Sequence, residues 1–146
     1  MKLEAFLEED KDRYIALASD FYDSPAVLGG PDLGLFQRNF DHIIAHEDAL
    51  GFFLEVEGQQ IGYVLCAKMF STEVGAPSLW IEELTIDQAY QGKGFGSQVF
   101  TLIHDMFPKV KRFRLEVSLD NPKAKKLYER LGYTQLAYEQ MIYDRK

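Results

Sequence analysis

The stretch Leu79–Ser97, LWIEELTIDQAYQGKGFGS, constrains the fold more than any other part of the chain. An apolar strand runs into a glycine-rich turn, and the turn opens a helix. Gly92, Gly94 and Gly96 let the backbone turn tightly and come close to a ligand without Cβ clashes. The N–H groups of residues 92–97 then point outward at a helix N-terminus. The helix dipole and Lys93 both favour an anion there, so the turn reads as a pyrophosphate site. A GxxxxGK[ST] phosphate loop is absent. A dinucleotide GxGxxG would need glycine where Ser97 stands, and it belongs after the first strand rather than about the fourth. That order of elements disfavours a nucleotide-binding oxidoreductase.

The strand itself carries a phase slip. Leu79 and Ile81 share one parity, and Leu84 and Ile86 share the other. The slip falls across Glu82-Glu83 and is what a β-bulge produces. A central strand buried on both faces, without a bulge, is the alternative. A bulge would splay this strand from the next and free backbone N–H groups from Leu84 to Ile86 for a ligand.

Apolar periodicity orders the rest. Leu3–Leu7 reads as a first strand. Tyr14, Leu17, Ala18 and Phe21 mark a helix after Asp10, and Phe36, Phe40, Ile43 and Ile44 mark a second. Phe52–Val56 and Ile61–Phe70 read as two strands of a hairpin, with Glu57-Gly58-Gln59-Gln60 as its turn. Val99, Leu102, Ile103 and Met106 form the stripe of the helix over 95–107. Phe113, Leu115, Val117 and Leu119 alternate as a strand. Asn121 and Pro122 open a last helix that Gly132 closes. Two final strands are expected over 133–136 and 140–143. The expected fold class is α/β in the order βααβββαβαββ, a mixed sheet with helices on both faces. At 146 residues, with no linker or repeat, the chain is expected to be one domain over 1–146.

Gln91-Gly-Lys-Gly-Phe-Gly96 matches the Q/R-x-x-G-x-G/A motif of the GNAT acetyltransferase superfamily. Asn121-Pro-Lys-Ala-Lys-Lys-Leu-Tyr-Glu-Arg-Leu-Gly-Tyr133 resembles its second signature, N-x-x-A-x-x-L-Y-x-x-x-G-F/Y. A helix and a strand separate the two, as in that family. The resemblance extends along nearly the whole chain and is weakest before Phe52. It implies an acetyl-CoA-dependent N-acetyltransferase acting on a primary amine of a small molecule or peptide. Gln91, Gly92, Lys93, Gly94, Phe95, Gly96 and Ser97 would hold the CoA pyrophosphate. Leu84, Thr85 and Ile86 would line the pantetheine arm, with an amide near Leu84 polarising the thioester carbonyl. Asn121 and Tyr128 would lie near the sulfur. Tyr128 is the expected acid for the leaving thiolate, although it also fits the apolar stripe of its helix. Glu82 or Glu83 would take the proton of the amine. The family likeness favours Glu82, and either could instead bind a cationic substrate. A longer acyl-CoA, or a non-catalytic acyl-CoA sensor or interaction module, would carry the same loop. Homodimers are common in the family.

Composition bounds the partners. The net charge of −7 disfavours a nucleic-acid partner and is compatible with a cationic substrate. No apolar run approaches the ~20 residues of a membrane span, so no membrane is expected. Met1–Asp10, with four acidic residues, does not read as a signal peptide. Cys66 is the single cysteine, expected to be buried in a strand, and a reducing, cytoplasmic setting fits it. His42 and His46 lie four apart on a helix without a third ligand, so no metal is expected. His104 is expected on an exposed face, and Trp80 in the core. The acceptor is expected to meet the first two helices and the loop between them, Asp23–Asp41, a region that holds Tyr22, Asp23, Asp32 and Phe36.

Overall fold

A computed structural model describes residues 1–24, 27 and 29–146. The chain divides into two compact units, Met1–Glu116 and Val117–Lys146. The first unit holds strand β1 (Lys2–Ala5), helices α1 (Lys11–Tyr22) and α2 (Leu33–Ala45), and strands β2 (Ala49–Val56), β3 (Gln59–Ser71) and β4 (Ala76–Ile86). Helix α3 (Phe95–Met106) and strand β5 (Arg112–Leu115) complete it. The second unit holds helix α4 (Pro122–Arg130). The strands lie in the order β1-β2-β3-β4-β5, antiparallel except for the parallel β4–β5 pair. The expected mixed sheet with helices is therefore present.

Local chemistry explains the main elements. The β2–β3 turn needs two left-handed residues, and Glu57 (φ 51°) and Gly58 (φ 80°) supply them, which matches the right-handed twist of a hairpin. Asp32 caps α2 by accepting a hydrogen bond from the Leu35 N–H at 3.1 Å. Alternation along β2 and β3 sends Phe53, Tyr63 and Leu65 to the face that α1 and α2 cover. There they pack with Phe6, Tyr14, Leu17, Ala18, Phe36 and Phe40. Leu54, Val64, Cys66, Leu79 and Ile81 have the opposite parity and are also buried, as are Val99, Phe100 and Ile103 of α3. Full burial of each such side chain contributes roughly 1.5–3 kcal/mol before entropy is counted.

Several expectations need correction. Phe100 is buried, whereas Leu102 is half-buried and Met106 is exposed, so the α3 stripe is rotated from the expected one. His104 is half-buried, with its ring 4.4 Å from that of Phe113, and burial lowers its pKa. Trp80 is half-buried beneath the Arg114 guanidinium, 4.3 Å from the ring centroid. The fifth strand ends at Leu115, because its pairing with β4 stops at Ile81↔Leu115, and Leu119 is wholly exposed. Neither 133–136 nor 140–143 forms a strand. Alternating apolar residues make a strand only with a ladder partner. Within the second unit, taken by itself, these segments find no such partner.

Candidate active site

The phase slip at Glu82-Glu83 is a β-bulge. Leu65 pairs with Glu83 and Cys66 with Ile81, so Glu82 is the extra residue on β4. The insertion changes which face each carboxylate meets. Glu83 lies opposite Leu65, on the side of the α1–α2 core. Its Oε1 accepts a hydrogen bond from the Tyr63 hydroxyl at 2.8 Å, and its Oε2 accepts one from the Tyr22 hydroxyl at 3.0 Å. Desolvation first, and the Glu83 charge second, push both phenols well above their usual range. Glu82 is exposed, and its carboxyl pKa is raised by partial desolvation and then by Glu116 and Glu83. Its charge also contributes, after burial, to pushing the Cys66 thiol up to about 12. That cysteine is a buried strand residue, as its position suggested.

Beyond the bulge, β4 keeps its β3 partner to Ile86, but β5 has ended. One edge of residues 82–86 is therefore without a strand partner among the described residues. The Asp87 N–H donates to the Ile61 carbonyl at 2.7 Å, which fixes the alternation. Residues 85 and 83 then direct their amides toward β3, and Leu84 and Ile86 direct theirs to the open edge. Consistent with this, the Ile86 carbonyl accepts from Gln91 Nε2 at 2.9 Å. Gln91 thus ties the glycine-rich turn to the end of β4. Thr85 faces the other way: its Oγ1 accepts from the Tyr63 N–H at 3.3 Å, and its carbonyl packs on Gly62.

The turn is tight, with Gly92 left-handed at φ 74° and Gly94, the N-cap of α3, at φ 84°. A Cβ built at either glycine meets nothing within 4 Å. The cradle in front of the first-turn amides of Phe95, Gly96 and Ser97 is open, and those amides have no partner within the helix. Lys93 Nζ sits 5.6 Å from the Tyr90 ring centroid, beside this anion-favouring end. Tyr90 is in turn anchored by its hydroxyl, which donates to Gln59 Oε1 at 2.8 Å.

In the second unit, Asn121 Oδ1 accepts from the Ala124 N–H at 3.1 Å and Pro122 occupies the first turn of α4. The helix ends in a Schellman motif: Tyr133 N–H to Tyr128 carbonyl at 3.0 Å and Gly132 N–H to Glu129 carbonyl at 3.1 Å, with Gly132 left-handed. Tyr128 is half-buried, and desolvation raises its pKa. Its ring packs 6.2 Å from that of Tyr133.

A model of the Acetyltransferase (GNAT) family matches residues 7–133. The chain belongs to the GNAT acetyltransferase family. Solved structures share the fold at low identity. A possible acetyltransferase from Clostridium difficile 630 is 17% identical, with 99% of this chain and 97% of that one covered, at a TM-score of 0.85. A ribosomal-protein-alanine N-acetyltransferase from Brucella melitensis biovar Abortus 2308 is 13% identical, with 99% and 100% covered, at 0.77. An aminoglycoside acetyltransferase from an uncultured soil metagenomic sample, solved with sisomicin, is 15% identical, with 99% and 96% covered, at 0.75.

Within the first unit of this GNAT acetyltransferase, the fold brings together Glu82, Glu83, Leu84, Ile86 and Gln91 along one strand and its exit. Tyr63 was not anticipated from the sequence, nor was the contact between Tyr22 and Glu83. Tyr63 alternates in step with Leu65, and Tyr22 lies eight residues after Tyr14 on one helix face. Those signals were legible, but not the pairing that joins them to Glu83. Part of the expected acceptor region, residues 25, 26 and 28, lies outside the described residues. His42 is engaged by Asp48, with Nε2 and Oδ1 2.8 Å apart. Among the described residues no three potential ligands group around a metal position. Among the described residues no helix is long and apolar enough to cross a membrane.

Proposed function

We propose that this acetyltransferase takes acetyl-CoA as donor and a primary amine of a small molecule or peptide as acceptor, with the chain acting as one domain over 1–146. The observation that carries the reading is the bulged β4, whose open edge at Leu84 and Ile86 leads through Gln91 into the open glycine cradle. An extended pantetheine arm needs backbone partners, and that edge supplies them. Its pyrophosphate needs outward amides and a positive helix end, and Gly92–Ser97 supply those, with Lys93 adding charge. Leu84, Thr85, Ile86, Gln91, Phe95 and Asn121 complete the donor site in this reading.

The reaction joins the amine nitrogen to the acetyl carbon and breaks the carbon–sulfur bond. An alkylammonium has a pKa of about 10.4, so it must first lose a proton. A carboxylate of the Glu82-Glu83 pair takes it, directly or through water. The Leu84 N–H stabilises the negative charge that develops on the acetyl oxygen. Tyr128 returns a proton to the departing thiolate, and its raised pKa keeps it protonated until then. A cytoplasmic setting suits the reduced Cys66.

The test is the melting temperature with acetyl-CoA, free CoA or NAD. At a hundredfold excess over its dissociation constant a ligand adds about 2.7 kcal/mol, a rise of roughly 5–10 °C in a domain of this size. A rise with both CoA forms and none with NAD supports the donor assignment. No rise with either CoA compound refutes it.

A further inference from the structure

The bulge has a second consequence for β4. Residues three apart on a regular strand face opposite ways, yet Trp80 pairs with Ala67 and Glu83 with Leu65, and those two stand two apart on β3. The inserted Glu82 therefore brings Trp80 and Glu83 to one face as neighbours, roughly 7 Å apart along the strand. It is the face that α1 and α2 cover at Leu65. Past Leu65 the cover thins: Ala67 and Trp80 are half-buried, and Met69 is exposed. Across the parallel pair, Arg114 stands opposite Trp80 and lays its guanidinium over the indole, 4.3 Å from the centroid. The stack covers one face of the guanidinium plane and leaves the N–H groups on its edge. Among the described residues no carboxylate lies within ion-pair distance of Arg114. Arg112, the next residue of β5 on this face, is already engaged, with Nη1 3.4 Å from Glu73 Oε2.

We propose that Arg114, held flat on Trp80, reads a carboxylate of the acceptor, so that the acceptor is a small primary amine with a carboxylate about 7 Å from its nitrogen. The inference rests on the acetyltransferase reading, which puts the reacting amine beside the Glu82-Glu83 pair. Two parallel N–H groups of a guanidinium match the two oxygens of a carboxylate. The indole fixes the guanidinium plane beforehand, so less side-chain freedom is lost when the acceptor arrives. The carbon chain between amine and carboxylate has the edge of Trp80 and the Ala67 methyl to lie against. A phosphate fits less well. It asks for a second cation, Arg112 is committed to Glu73, and Glu82 and Glu83 would repel a dianion. A free α-amino acid carries both groups on one carbon and cannot bridge the two places. A dipeptide can, because two extended residues span about 7 Å. An ω-amino acid can as well. Arg114 thus sets specificity and takes no part in the proton transfers.

The experiment follows CoA release at saturating acetyl-CoA with two matched pairs of probes: alanylalanine and its amide, and 6-aminohexanoate and its amide. The pairs separate a peptide acceptor from an ω-amino acid. In at least one pair the parent should favour the acid over the amide by about tenfold or more in kcat/KM. Arg114→Gln should bring that ratio below about threefold. Arg114→Lys keeps the charge but loses the fork, so its ratio should fall between the two; it carries the test should Arg114→Gln fail to fold. Arg13→Gln removes the same charge from an arginine held by Gln60 and should keep the parent ratio. No preference in the parent, a preference that survives both Arg114 variants, an equal loss in Arg13→Gln, or silence with both pairs overturns the inference. The rise in melting temperature with acetyl-CoA is read on every protein. If it persists beside those adverse results, only the carboxylate reader falls. If the parent shows none, the acetyltransferase reading falls with it.

Discussion

Replacing Gly62 with alanine should damage both stability and donor binding. Gly62 lies opposite Ile86 where β3 and β4 pair beyond the bulge. A Cβ there would overlap the Thr85 carbonyl oxygen, stand 2.8 Å from its carbon and 3.1 Å from Ile86 Cα. All three are backbone atoms, so no side chain can swing away. Restoring an ordinary contact of about 3.5 Å to the carbonyl carbon moves the strands apart by roughly 0.7 Å, and the oxygen demands more. Overpacking costs about 1–3 kcal/mol where neighbours can adjust. With backbone on the far side, the upper end, about 3 kcal/mol, applies. For 146 residues the unfolding entropy is about 0.3 kcal/mol/K, so Tm should fall by roughly 10 °C. The moved segment carries Leu84 and Ile86, so the thermal shift with acetyl-CoA should shrink as well. Gly51→Ala is the comparison, because its Cβ meets the buried ring of Phe6 rather than strand backbone, so it should lower Tm and leave the acetyl-CoA shift in place. Differential scanning calorimetry with and without acetyl-CoA measures both effects. A drop below about 2 °C in Gly62→Ala, or an equal loss of the acetyl-CoA shift in Gly51→Ala, would refute the reasoning.

Gly94→Glu should abolish stabilisation by acetyl-CoA, because it puts a side chain and a negative charge into the cradle at a left-handed position; an undiminished thermal shift would deny the loop its phosphate role. Tyr128→Phe should keep that shift yet lower turnover roughly ten- to a hundredfold, since only the proton for the thiolate is lost; unchanged kcat removes it as the acid. Glu82 binds its proton more tightly folded than unfolded, so its contribution to stability falls as pH rises from the unfolded value, about 4.3, through the raised folded value. Glu82→Gln should therefore melt higher than the parent at pH 7 and alike at pH 3, and a variant that melts lower at pH 7 reverses the sign of that argument.

The sequence alone determined what short-range chemistry can determine. The tight turn at Gly92 and Gly94, the Asn121 cap and the Gly132 closure depend on local backbone sterics and hydrogen bonds, so residue type and spacing reveal them. The bulge was legible too, because an inserted residue shifts the parity of everything after it. Tertiary structure decided the rest. Whether Phe113–Leu119 continues as a strand depends on a neighbour, and β4 departs from β5 after Ile81. The segments over 133–136 and 140–143 have strand-like alternation but find no ladder within their own unit, and pattern carries no information about partners. The choice between two adjacent glutamates is the clearest case. Glu82 and Glu83 are identical as residues and neighbours in the chain. One faces Glu116 and solvent, and the other receives hydroxyls from Tyr63, 20 residues away, and Tyr22, 61 residues away. Only the register of β3 on β4 and the docking of α1 bring those donors to it.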